Sequence, residues 1–156
     1  MNEVASQAVE RVIASTRHLP GALMPILHGI QDALGYIPPA AVPSIAEALN
    51  LSRAEVHGVV TYYHYFRSEP PGRHVVQICR AESCKAMGSD ELWSHACSKL
   101  GSDGHGTTKD GAFTVEPVYC LGLCAQSPAM TLDEKVHARV GVEKFDRLLA
   151  RAGSAA

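Results

Sequence analysis

The chain has no excess of positive charge. Fourteen lysines and arginines stand against sixteen aspartates and glutamates, a formal net charge of -2. That excludes bulk attraction to nucleic acid, which needs a basic face. The opening stretch MNEVASQAVERVIAS lacks the basic segment and apolar block of a secretory signal. No apolar run approaches the roughly 20 residues of a membrane-spanning helix. These absences point to a cytoplasmic protein, or to a peripheral part of something larger. Motifs that announce an enzyme are also missing. There is no P-loop, no nucleophile elbow and no His-Glu-x-x-His site. Eight histidines are scattered without a pair at metal-ligand spacing. GSDGHG follows a helical segment and not a strand, so it reads as a flexible loop rather than a nucleotide-binding turn. No catalytic residue and no substrate pocket is expected in this chain.

What is present is a globular balance, 46% hydrophobic and 19% charged residues. A chain of 156 residues buries roughly 70% of its unfolded surface and needs no covalent staple. The first seventy residues read as helices. Val4, Ala8, Val9, Val12 and Ile13 form one stripe at helical spacing; Met24, Ile26, Leu27, Ile30 and Leu34 form a second, closed by Gly35. The segment from Tyr36 to Pro39 is a turn, and a third helix covers Val42 to Leu49. A fourth starts after Ser52, whose spacing to Glu55 is that of a capping box. The cluster YYHYF, Tyr62 to Phe66, reads chiefly as core, with a partner surface as the alternative because tyrosine is enriched in interfaces. Glu69-Pro70-Pro71-Gly72 is the expected boundary between residues 1–70 and 71–156.

Beyond it the pattern is strand, helix, strand, strand, strand, helix. His74 to Ile78 is a strand that runs into Cys79; Asp90 to Leu100 is a helix; Gly101 to Gly111 is a glycine-rich loop. Phe113 to Glu116 and Val118–Tyr119 read as strand broken by Pro117. Ala129 to Leu132 and Val136 to Val140 read as a hairpin, and Val142 to Arg151 as a closing helix with Val142, Phe145, Leu148 and Leu149 on one face. The tail from Gly153 to Ala156 is expected to fray. The fold class is α+β: a helical bundle, then a small layered domain.

Five cysteines are an odd count, which a pure disulfide framework does not explain. Four fall in two close pairs, each after a strand. Cys79 and Cys84 have four residues between them, Cys120 and Cys124 three. If the two strands are neighbours, four thiolates converge at one sheet edge. A dithiol oxidoreductase favours Cys-x-x-Cys at a helix start, a spacing absent here. Zinc accepts four thiolates with spacers of this size, but it usually staples units without a core. A [2Fe–2S] cluster takes two thiolates on each iron, so each loop would hold one iron. The spacing is neither that of plant ferredoxins nor that of Rieske centres. Gly122 permits a tight turn that points amides at sulfur, and Arg80 and Lys85 read equally as offsets to cluster charge or as ordinary solvated charge. The fifth cysteine, Cys97, shares a helix face with Trp93 and Leu100 and reads as a small core hydrophobe.

The stretches VVQICRAESC, GHGTTKDGAF, VYCLGLCAQSPAM and GVVTYYHYF resemble the small iron–sulfur subunit of NADH-oxidising modules. Such subunits occur in respiratory complex I, NAD-reducing hydrogenases and NAD-dependent formate dehydrogenases. The resemblance covers nearly the whole chain. It implies a thioredoxin-like ferredoxin domain behind a helical bundle and one [2Fe–2S] cluster on Cys79, Cys84, Cys120 and Cys124. It also implies a flavoprotein partner that carries FMN and binds NAD(H). Within the family, CRAESCKAMGS is most similar to the gamma subunit of molybdenum-containing formate dehydrogenase, which implies a large molybdenum-containing catalytic subunit as a further partner. Tyr119 stands where complex I relatives usually carry an acidic residue.

Overall fold

The computed structural model describes residues 2–104 and 106–153. His105, within the glycine-rich loop, and the tail beyond Gly153 lie outside them. The chain divides into two compact units, Met1–Pro70 and Pro71–Ala156.

Among the described residues the first unit holds four α-helices, α1 (Glu3–Thr16), α2 (Leu23–Leu34), α3 (Val42–Leu49) and α4 (Arg53–Tyr62), with a 3-10 turn at Pro39–Ala41 before α3. Asn2 caps α1, its side chain accepting from the Ala5 N–H at 2.9 Å. The buried stripe of α1 is Ala5, Ala8, Val9 and Ile13. Val4, expected inside, is 70% exposed, because the face that meets α2 begins one residue later. On α2, Gly29 lies so close to α1 that a Cβ there would stand 2.8 Å from a Val12 methyl. The absence of a side chain lets the two helices approach. Gly35 ends α2 at φ 81°. Ser52 and Glu55 form the complete capping box of α4. Ile26, Leu27, Ile30, Ile45 and Val56 are fully buried at the centre of this unit's core.

The YYHYF segment departs from its core reading. Phe66 is buried, but Tyr62, Tyr63 and Tyr65 are exposed, Tyr62 by 74%. Buried Gln31 holds the segment in place: its amide donates to the Tyr65 carbonyl and accepts from the Arg67 N–H, each at 2.8 Å.

The second unit contains a five-stranded sheet of β1 (His74–Cys79), β2 (Gly106–Thr107), β3 (Phe113–Val118), β4 (Met130–Leu132) and β5 (Lys135–His137). The order across the sheet is β2-β3-β1-β4-β5. Among the described residues, β1 and β3 are parallel and the remaining pairs are antiparallel. The helices are α5 (Glu82–Ala86), α6 (Ser89–Leu100) and α7 (Val142–Gly153). Val76 and Ile78 of β1 pack with Leu92 and Ala96 of α6 and with Phe145 and Leu149 of α7. On β1 between them, Gln77 instead bonds Glu116 and Thr131, so successive side chains serve opposite faces.

Four features differ from the expected pattern. The short helix α5 and the two-residue strand β2 are additions to it. The hairpin strands are shorter, and Asp133 and Glu134 turn with φ of 51° and 66°, a left-handed pair that no glycine advertises. Asp133 is fixed there, accepting from the Val75 N–H at 2.9 Å and lying 2.8 Å from His74 Nδ1. Finally, β3 runs through Pro117 without a break. The Val118 carbonyl faces β1, where it accepts from Arg80 N–H at 2.8 Å. Alternation then turns position 117 away from β1, toward β2, which among the described residues reaches only Thr114 and Val115. Proline lacks a donor where none is used.

Candidate metal centre

Cys79 is the last residue of β1 and the register partner of Val118, the last residue of β3. Both loops therefore leave the same end of a parallel pair. Cys79 is pinned by its N–H, which donates to the Ala129 carbonyl at 3.0 Å. The chain turns at Arg80 and Ala81 into α5, which carries Cys84. After β3, Cys120 takes φ 94° and Gly122 φ 76°, and Cys124 opens a 3-10 turn through Gln126. A positive φ is routine for glycine but costs a residue with a Cβ. The strained residue here is thus one of the four thiols themselves.

Burial divides the four. Cys79 and Cys84 are buried with Ala129, and Ala81, Val118, Leu121 and Leu123 pack around them. Cys120 and Cys124 are exposed, beside a Tyr119 that is 66% exposed. The Cys120 and Cys124 sulfurs are 3.9 Å apart, and the Gly122 N–H donates to Cys120 Sγ at 3.4 Å. Burial pushes the Cys79 thiol up, but the Ala81 N–H, the Cys84 thiol and the N–H groups of Leu121 and Cys120 together pull it below its ordinary value. Backbone N–H groups of both loops thus favour the thiolate form of Cys79. Cys124 is raised, first by its contact with Cys120 and the charge there, then by burial and by the charges of Cys84 and Cys79. The four sulfurs share one field, and as thiolates they repel; a bound cation relieves that repulsion.

The donor set fits an iron–sulfur cluster. A tetrahedral metal with metal–sulfur bonds of about 2.3 Å separates its thiolates by about 3.8 Å, close to the Cys120–Cys124 spacing. Among the described residues, no three His, Cys, Asp or Glu side chains gather about a single ion position. Along the chain the thiols come as two pairs, the form in which a two-iron rhomb takes them.

Arg80 pairs with Asp90 at 2.8 Å and lies 5.0 Å above the Trp93 ring; Lys85 acts on Asp90 as well. Cys97 is half-buried on α6, and burial raises its thiol. In the glycine-rich loop, a Cβ at Gly104, φ +92°, would meet Trp93 at 2.6 Å. The sequence carries no signal for Ser83 and Ser127, whose hydroxyls link the two cysteine loops. Both donate to the Cys124 carbonyl, at 3.0 and 2.8 Å.

Residues 9–153 match the family described as thioredoxin-like [2Fe-2S] ferredoxin. NADH-quinone oxidoreductase subunit 2 of Thermus thermophilus is 35% identical over 135 residues, 85% of this chain and 75% of the relative. A subunit of the NADH-quinone oxidoreductase of Rhizobium meliloti is 34% identical, covering 90% of this chain and 85% of its own length. NADP-reducing hydrogenase subunit HndA of Solidesulfovibrio fructosivorans is 30% identical over 91% of this chain and 83% of its own. Among solved structures, air-oxidised NAD+-reducing [NiFe]-hydrogenase superposes with a TM-score of 0.69 at 22% identity. It covers 83% of this chain, which spans 23% of the hydrogenase chain.

Proposed function

We propose, for a chain that belongs to the thioredoxin-like [2Fe–2S] ferredoxin family, that Cys79 and Cys84 hold one iron and Cys120 and Cys124 the other. The observation that carries this is the parallel register of β1 and β3, which brings both thiol pairs to one end of the sheet. When bound, the cluster takes and returns one electron at a time. The chain's own groups do the rest. Ala81, Leu121 and Cys120 amides stabilise charge on Cys79, the apolar collar of Ala129, Val118, Leu121 and Leu123 limits water, and the exposed Cys120–Cys124 side leaves a short path outward.

The protein so read is a cytoplasmic electron-transfer subunit that exchanges electrons with the FMN of a partner NADH-binding flavoprotein. Residues 1–70 dock it and residues 71–156 carry the cluster. The support is the names of its relatives, which are subunits of NADH-quinone oxidoreductases and of an NADP-reducing hydrogenase. Among such modules we place it in an NAD-dependent formate dehydrogenase with a molybdenum-containing catalytic subunit. That finer reading rests on the CRAESCKAMGS stretch and on Tyr119 before the third cysteine.

An absorption spectrum and iron count on anaerobically purified protein test the first part. About two irons per chain and bleaching by dithionite are expected; a colourless protein with zinc would refute it. Purification with native partners tests the second part. A flavoprotein and formate-dependent NAD reduction are expected, whereas a complex that reduces NAD only with hydrogen, or oxidises NADH with quinone, would move the chain to a different module.

A further inference from the structure

We infer that the Ser127 hydroxyl is a hydrogen-bond donor to the Cys84 sulfur and raises the reduction potential of the cluster, an inference that rests on Cys84 being a ligand. Cys84 Sγ and Ser127 Oγ are 3.5 Å apart, and the contact is buried. With Cys84 as a free thiol, its single S–H can turn either to the serine oxygen or to the Cys79 sulfur. A metal-bound thiolate has no proton to give, so the contact survives only if the serine O–H turns toward sulfur.

The local bonding permits that turn. Ser127 O–H otherwise donates to the Cys124 carbonyl at 2.8 Å. That carbonyl has a second donor, the Ser83 O–H at 3.0 Å, and Ser83 Oγ lies 3.1 Å from Ser127 Oγ. When Ser127 swings to sulfur, Ser83 keeps the Cys124 carbonyl hydrogen-bonded, so that acceptor is not stranded. Ser83 thereby frees Ser127 for the sulfur. Since Cys84 is 2% exposed, solvent offers little competition. A donor to a ligand sulfur stabilises the reduced, more negative cluster and raises its potential. Ser127 is a positioning residue in this sense, acting through Cys84.

The test is a dithionite titration of the purified, cluster-loaded full chain, followed by visible absorption and EPR, with iron counted in every variant. Ser127→Ala lowers the potential at unchanged iron content, and Ser127→Thr restores it. Ser83→Ala gives a smaller shift of the same sign, and adding it to Ser127→Ala shifts nothing further. An unmoved potential in iron-replete Ser127→Ala, a failed rescue by threonine, or an additive double variant each overturns the inference. Should Ser127→Ala not retain iron, resonance Raman of the wild type after brief transfer to D2O decides: a shifted Fe–S(Cys) band supports the hydroxyl donor, and an unshifted one removes it. A wild-type protein without iron would refute the ligand assignment itself, and this inference with it.

Discussion

Cys79 and Val118 face one another as the final residues of two parallel strands. From that pairing the centre follows. Cys84 is carried back by α5, Cys120 lies two residues beyond Val118, and Gly122 turns the second loop so that Cys124 returns to within 3.9 Å of Cys120. Antiparallel pairing would have sent the two loops to opposite ends.

The ligand assignment separates Cys120 from Cys97. Cys120→Ser should lose or weaken the visible absorption and the iron content. Cys97→Ser should keep both and cost about 1 kcal/mol, since a hydroxyl replaces a half-buried thiol. Iron analysis of the two variants side by side checks this. Bleaching of the Cys97 variant alone would show that the ligands are wrongly chosen.

Gly122 serves through its backbone angle. A Cβ there meets nothing within 4 Å, so only the positive φ opposes a side chain. Gly122→Ala should cost about 1–2 kcal/mol and shorten the lifetime of the cluster, because the amide aimed at Cys120 Sγ moves with the turn. The decay of absorption in the presence of a chelator measures it.

Gly104 is constrained by space as well as angle. Gly104→Ala drives a methyl group against the Trp93 ring, at an expected cost of about 2–4 kcal/mol. Gly101→Ala, also at a positive φ but in open surroundings, should cost about 1 kcal/mol. Denaturant unfolding of both variants gives the comparison, and equal effects would contradict the close packing.

In the helical unit, Ser52→Ala removes the hydroxyl that accepts the Glu55 N–H at 3.1 Å. The loss should be about 1 kcal/mol. Glu55→Gln should lose less, since the amide oxygen can still accept from the Ser52 N–H. Thermal unfolding monitored in the far ultraviolet reports both.

Asp146 of α7 lies 2.8 Å from His95 Nε2 and 2.9 Å from Lys99 Nζ of α6. These two contacts, His95 first, hold its carboxyl below the ordinary value of 3.8. A depressed folded pKa means stability that is present above the unfolded value and lost as pH falls through the folded one. The contribution is under about 1 kcal/mol because the pair is solvent-screened. Asp146→Asn should therefore melt below wild type at about pH 6, and the gap should close as pH falls below the ordinary carboxylate value of 3.8. A gap independent of pH would assign the effect to packing.

Much of this arrangement is legible in the residues because it is local. Helical stripes, the Ser52–Glu55 box and the Gly35 stop are patterns of spacing and capping, which act within a few residues. The two thiol pairs are visible for the same reason. The differences arise where a distant partner decides. Val4 sits outside because α2 covers the neighbouring arc of α1, and Pro117 is accommodated because β2 stops short of it. Arg80, placed next to a cysteine by the chain, is taken by Asp90 and Trp93 of α6.

By itself, then, the sequence determined the α+β class, the order of most elements and the identity of the four paired thiols, since each depends on residue type and short spacing. Only the tertiary structure decided that two thiols are buried and two exposed, that backbone N–H groups of both loops lower the Cys79 thiol, and that Ser83 and Ser127 join those loops. These are relations between segments distant in the chain, brought together by strand register and core packing, forces that leave no mark in the spacing of any one stretch.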